Sequence, residues 1–200
     1  MNLPNKLTIL RIILTFVFML FVFSQGLTPK ILALLVFIAA ALTDLFDGMI
    51  AKSRNQITDF GKIMDPIADK ILVLAAFLSF IQLQLIPAWT VIVIIARESV
   101  ITSLRLFALS TGTVIAASKG GKYKTVSQMA AIAIILLFLI FKETMKNYFF
   151  WHPLFDKAMS SIIYLAMLST AALTFISGAS YIWHNRKLII GFGHERKVAS

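Results

Sequence analysis

The run TPKILALLVFIAAALTDLFDG, Thr28 to Gly48, decides how this chain folds. It is almost wholly apolar from Ile31 to Leu42 and then carries Asp44 and Asp47 just before Gly48. A helix that crosses a bilayer needs about 20 residues, and this run reaches that length only by taking in both acids. A carboxylate costs about 2.5–3.5 kcal/mol at mid-membrane on insertion scales, and less near the edge. The run therefore reads as a spanning helix with two acids held at its inner end.

Five more apolar runs flank it: Leu7–Phe23, Ile67–Ile86, Ala88–Leu106, Val126–Phe141 and Met159–Trp183. Gly26 and Pro29, the polar stretch Ser53–Asp59, Pro87, Ser118–Thr125 and Lys142–Lys157 separate them. The expectation is an all-α integral membrane protein of six transmembrane helices, one domain over residues 1–200, without repeat or linker. Composition agrees. With 59% hydrophobic and 14% charged residues and a mean hydropathy of +0.87, the chain lacks the polar surface of an ordinary soluble domain. It has no cysteine, which excludes a disulfide scaffold, a zinc-thiolate centre and a cysteine nucleophile. Its net charge of +10 lies between apolar runs and not on a soluble basic face, so nucleic acid is not an expected partner. Lys6 and Arg11 before an apolar stretch imitate a signal peptide, but Ser24-Gln25-Gly26 is a poor cleavage site. An uncleaved first helix is expected.

The cations set the orientation. If the N-terminus, the 48–66 and 107–125 connections and the C-terminus share one side, Lys30, Lys142, Lys146 and Lys157 are the four of the 19 Lys and Arg that fall opposite. That bias places both termini in the cytoplasm. The 17 Phe and three Trp read as lipid-facing bulk, Tyr148–Trp151 as an interfacial belt, and the basic stretch Arg186–Lys197 as an anchor to anionic lipid.

The acids are distributed quite differently. Five of the nine, Asp44, Asp47, Asp59, Asp65 and Asp69, fall within one short segment. Asp59 reads as a solvated loop residue. Asp44 and Asp47 are spaced i,i+3 and Asp65 and Asp69 i,i+4, so each pair shares a helix face. A polar connection between them lets two antiparallel helices bring both pairs to the cytoplasmic end. Carboxylates so crowded call for cations, and His152, His184 and His194 are distant in sequence. A purely hard-oxygen donor set favours Mg²⁺ or Mn²⁺ over zinc or copper, and two ions suit phosphoryl chemistry. Gly48 directly follows Asp47 and removes a side chain where a bulky ligand could approach the backbone, while for Gly48, Ala51 and Gly61 taken singly the reading is the close helix packing that small residues serve in membrane helices.

Written out, the segment is Asp44-x2-Asp47-Gly48-x2-Ala51-Lys52-x8-Gly61-x3-Asp65-x3-Asp69. This resembles the signature of the CDP-alcohol phosphotransferase family, D-x2-D-G-x2-A-R-x8-G-x3-D-x3-D, with Lys52 in place of the arginine. Lysine keeps the charge and loses the bidentate guanidinium fork. Asn5-x2-Thr8-x2-Arg11, Ile95-Ala96-Arg97-Glu98 with Thr102 and Arg105, and Gly121-Lys122-Tyr123-Lys124-Thr125 are similar to the bacterial members that make phosphatidylglycerophosphate.

The resemblance implies a homodimer of six-helix subunits in a bacterial plasma membrane, its site open to the cytoplasm. It implies CDP-diacylglycerol as donor, sn-glycerol 3-phosphate as acceptor, and CMP as the leaving product. Asp44, Asp47 and Asp65 are then metal ligands, with Asp69 the general base and a further metal contact. Asn5, Thr8, Arg11, Gly48, Ala51, Lys52 and Gly61 belong to the CDP-diacylglycerol site.

An acceptor that is a phosphate monoester needs cations of its own. Arg97 and Arg105 lie eight apart on one stripe of the fourth run and, with Lys122 and Lys124, are the candidates for its phosphate. The alternative pairs Arg97 with an acid as structural glue. Adjacent helical residues point about 100° apart, so Arg97 and Glu98 are expected to pair poorly with each other. For Lys122 and Lys124 the alternative is the positive-inside bias itself. Phosphatidylinositol phosphate synthase and phosphatidylserine synthase are the competing readings within the family. An ion transporter, the competitor outside it, would scatter polar groups through the midplane and show repeated halves.

Overall fold

The apolar runs are rich in Leu, Ile, Ala and Phe and are broken chiefly at Gly26, Pro87 and the polar stretches, a pattern that favours uninterrupted helix. The structure, a computed structural model, describes residues 3–54, 59–110, 119–148 and 153–186, with side chains placed for 8–43, 70–108, 123–146 and 154–186. Six helices are found among them: α1 (Leu3–Phe23), α2 (Leu27–Arg54), α3 (Asp59–Gln82), α4 (Ala88–Ser110), α5 (Lys119–Tyr148) and α6 (Pro153–His184). No strand occurs among the described residues. Each helix corresponds to one apolar run. All but α3 contain the whole of their run, and several extend well beyond it, because polar helix formers continue the hydrogen-bond ladder after apolar residues stop.

One boundary differs. The third run was expected to continue to Ile86, whereas α3 ends at Gln82. Gln84 takes φ 58°, the Leu85 N–H donates to the Phe80 carbonyl at 2.9 Å and the Gln84 N–H to that of Ile81 at 2.8 Å. These bonds close a left-handed helix cap, a position where glycine or asparagine is the usual signal. At the α1–α2 corner that signal is present: Gly26 has φ +99°, and Pro29 sits in the first turn of α2.

The helices form two compact units. The first joins α1, α2 and α3 to the part of α5 from Met129 and the part of α6 up to Tyr164. Within it α1 packs along both α2 and α3, which also touch each other. The stripe of α1 that is covered reads Thr8, Arg11, Thr15, Phe18 and Val22, all buried, at helical spacing. It is polar towards the N-terminus and apolar beyond, where the Phe18 and Phe37 rings lie 5.9 Å apart. Phe77, Phe80, Ile132, Ile135 and Leu136 complete the core. Lys30 is buried and donates to the carbonyls of Val22 and Ser24, at 2.5 and 2.9 Å, closing the C-terminal end of α1 where carbonyls lack helical partners.

The second unit holds α4, the part of α5 up to Gln128, and the part of α6 from Leu165. Ile94, Ile101 and Ala108 of α4 are buried at heptad spacing, as are Met167, Thr174 and Tyr181 of α6. The Thr170 hydroxyl on α6 donates to its own helix at the Ala166 carbonyl, 2.8 Å away, and lies 3.3 Å from that of Ser127 on α5.

Two segments, Tyr123–Lys146 in α5 and Leu154–His184 in α6, are long and apolar enough to cross a membrane, and Thr8–Phe23, Leu27–Thr43 and Lys70–Gln82 are shorter apolar helices. Outward faces are apolar too. Phe16, Leu20, Leu137, Leu165, Phe175 and Ile176 are all more than half exposed, on a scale that water-facing surfaces of monomers rarely show.

Candidate active site

Helix α2 carries Asp44, Asp47, Gly48, Ala51 and Lys52, and α3 carries Gly61, Asp65 and Asp69. Both segments are continuous helix through these positions, so the i,i+3 and i,i+4 spacings hold as shared faces. The side chains of these residues, of Asn5 on α1 and of Lys122 on α5 lie outside the described residues. The donor set fits a hard divalent cation: carboxylates alone, on adjoining helices, at one-turn spacing. Thr8 and Arg11, the other donor-site candidates, are 1% and 2% exposed on the α1 stripe. A guanidinium buried that deeply in a helical unit needs polar partners there, and α1 packs on the two helices, α2 and α3, whose sequence carries the acids.

In the second unit α4, α5 and α6 assemble an ion cluster. The Arg97 Nη1 donates to Glu98 Oε1 at 3.0 Å, so the expectation that these neighbours pair poorly is corrected. The arginine stem is long enough to swing back across the 100° of about one helical step. The Lys124 ammonium, on α5, forms an ion pair with the same Glu98 oxygen. Arg97 Nη2 donates to the Ser177 hydroxyl on α6 at 3.1 Å. The Arg97 and Lys124 side chains are 10% exposed and that of Glu98 19%. Arg97 Nε is buried and has no hydrogen-bond partner among the described residues.

Among the described residues, Glu98 thus pairs with two cations, Arg97 and Lys124, and all three side chains are largely buried. Lys124 belongs to a buried ion pair as well as to the positive-inside set. Arg105, by contrast, is exposed two turns further along α4, and the structure does not place it in the Arg97–Glu98–Lys124 cluster.

Sequence reasoning missed Ser177 and Gly178. Both are buried on α6, and a Cβ added at Gly178 would meet Arg97 Cγ at 2.7 Å. A serine and a glycine in an apolar helix carry no signal of their own. Their partner lies 80 residues away for Ser177.

The CDP-alcohol phosphatidyltransferase family profile matches residues 1–176, and the chain belongs to that family. Among its relatives, a Bacillus subtilis protein named CDP-diacylglycerol–glycerol-3-phosphate 3-phosphatidyltransferase is 43% identical over 148 residues, covering 68% of this chain and 77% of the relative. A Mycobacterium tuberculosis protein named as a probable phosphatidylglycerophosphate synthase is 36% identical over 202 residues, covering 100% of this chain and 87% of the relative. A Rickettsia typhi protein bearing the same name as the Bacillus one is 35% identical over 187 residues, with 90% and 94% covered.

Proposed function

We propose that this chain transfers the phosphatidyl group of CDP-diacylglycerol to sn-glycerol 3-phosphate, releasing CMP and forming phosphatidylglycerophosphate. The intact carboxylate signature on the adjoining helices α2 and α3 carries the reaction class. The relatives' names, spread over three bacterial groups, support this acceptor over inositol phosphate or serine.

The chain works as a six-span protein of the bacterial plasma membrane, a homodimer with both termini and its site facing the cytoplasm. Helix α2 has 28 residues, about 42 Å at 1.5 Å per residue, against roughly 30 Å of hydrocarbon. Its Asp44–Arg54 end therefore reaches the headgroup region, where a nucleotide liponucleotide presents its pyrophosphate.

Asp44, Asp47, Asp65 and Asp69 hold Mg²⁺ or Mn²⁺, two ions in all, which when bound neutralise the pyrophosphate and stabilise departing CMP. Asp69 takes the proton of the attacking glycerol hydroxyl. That oxygen forms a bond to the phosphatidyl phosphorus as the bond to the CMP oxygen breaks, and CMP leaves with the electron pair. Asn5, Thr8, Arg11, Gly48, Ala51, Lys52 and Gly61 bind the donor, the last by leaving room beside the backbone. Arg97, Lys124, Lys122 and Arg105 hold the acceptor phosphate. With its two negative charges, that phosphate suits the paired cations Arg97 and Lys124, which the structure brings to one carboxylate.

The deciding experiment measures CMP release by the purified protein from CDP-diacylglycerol with Mg²⁺, offering glycerol 3-phosphate, inositol phosphate and serine side by side. Turnover with glycerol 3-phosphate alone is expected; preference for either other acceptor replaces the reading.

Two kinetic predictions follow from the assigned contacts. Lys52→Ala is expected to raise the KM for CDP-diacylglycerol about tenfold, the loss of one charge-assisted hydrogen bond, whereas Lys52→Arg keeps donor use. Unchanged donor kinetics in Lys52→Ala would leave Lys52 a topology charge. Arg97→Ala is expected to raise the KM for glycerol 3-phosphate by about tenfold to a hundredfold with the donor KM little changed. Arg105→Ala, exposed and screened by water, should give the same pattern at the lower end of that range. Acceptor and donor constants moving together would make both arginines structural.

A further inference from the structure

Helix α6 lies outside the carboxylate signature, yet its residues Ser177 and Gly178 touch Arg97 directly. At Gly178 the three heavy atoms nearest to an added Cβ all belong to Arg97: Cγ at 2.7 Å, Nε at 3.6 Å and Cδ at 3.7 Å. A glycine kept for close helix packing would have the backbone of a neighbouring helix there. This one instead makes room for an arginine stem. The next contact along the same side chain is the Ser177 hydroxyl, which accepts from Nη2 at 3.1 Å, while Nη1 is held by Glu98 at 3.0 Å.

We propose that Ser177 and Gly178 are positioning residues that fix the Arg97 guanidinium for the acceptor phosphate; this rests on the acceptor reading of Arg97 given above. Gly178 admits the stem over the surface of α6, and Ser177 and Glu98 each hold one terminal nitrogen, so the plane of the fork is set before the ligand arrives. The Nε, without a hydrogen-bond partner among the described residues, fits that arrangement. The two terminal nitrogens are served at the expense of the one that passes Gly178. A preset fork loses little freedom when a phosphate binds, and the benefit appears in acceptor affinity.

The test uses the full-length protein in detergent or nanodiscs and compares Michaelis constants. Gly178→Ala pushes against Cγ, near the root of the side chain, where the arginine has little freedom to yield. It is expected to raise the KM for glycerol 3-phosphate about tenfold and leave that for CDP-diacylglycerol within about twofold. Ser177→Ala should raise the acceptor KM about three- to tenfold, the range for one hydrogen bond, and Ser177→Thr, which restores a hydroxyl, should recover most of it. In an Arg97→Lys background, which has no fork to aim, Ser177→Ala should add nothing.

Three outcomes overturn the proposal. Acceptor constants that stay at the wild-type value in Gly178→Ala and Ser177→Ala, while Arg97→Ala raises its own, refute the positioning role and leave the acceptor reading intact. Donor and acceptor constants rising together in Ser177→Ala, without rescue by threonine, make α6 a packing element only. An unchanged acceptor KM in Arg97→Ala removes the acceptor reading itself, and the positioning role with it. If Gly178→Ala does not fold, the Ser177→Ala and Ser177→Thr pair decides, because it removes and restores one oxygen.

Discussion

Asp44→Asn, Asp47→Asn and Asp65→Asn are each expected to abolish detectable CMP release while the protein still inserts and purifies. An amide keeps the shape of the carboxylate and loses the charge and hardness that a divalent cation requires. The reaction brings a dianionic acceptor against an anionic pyrophosphate only if negative charge is neutralised where it gathers, and losing one such electrostatic contact costs about a hundred- to a thousandfold. Asp69→Asn should fall by a comparable factor, since a missing general base costs about a hundred- to ten-thousandfold. Chelation should stop wild-type turnover, and Mg²⁺ or Mn²⁺ should restore it. Substantial activity in any one Asn variant would remove that residue from the ligand set.

These acids were legible from the sequence because the chemistry and the fold pull in opposite directions there. Apolar composition demands a spanning helix, and four aspartates at one-turn spacings on two consecutive helices contradict it. Such a conflict marks a site. The helix breaks were legible for a simpler reason, since Gly26 permits a left-handed turn that other residues rarely take and Pro87 fixes φ and removes a backbone donor, whatever surrounds them. What sequence hid was of another kind. The end of α3 at Gln82 depends on Gln84 adopting a left-handed conformation that its side chain does not advertise. The Arg97–Glu98 pair defeats helical-wheel reasoning because the wheel places Cβ atoms, while ion pairs are made at the ends of long stems. Ser177 and Gly178 acquire meaning only from the arginine that α4 sets against them, a contact between residues far apart in the chain.

The same cluster distinguishes charge kept for stability from charge kept for a ligand. Glu98→Leu is expected to destabilise the protein strongly, because it removes the carboxylate that pairs with both Arg97 and Lys124, each 10% exposed. Removing one partner of a buried ion set typically costs about 3–5 kcal/mol. At roughly 2–4 °C per kcal/mol for a chain of this size, the thermal midpoint should fall by at least about 6 °C. Replacing the whole set, Arg97→Met with Glu98→Leu and Lys124→Met, should recover most of that loss, since well-packed apolar groups often match or exceed a buried ion cluster in stability. The triple variant should nevertheless fail to use glycerol 3-phosphate. Stability without activity would mean that three charged side chains are held in an apolar bundle for the anion they receive. A triple variant as unstable as Glu98→Leu would make the cluster structural glue. An unchanged midpoint in Glu98→Leu would show that water already screens the two cations.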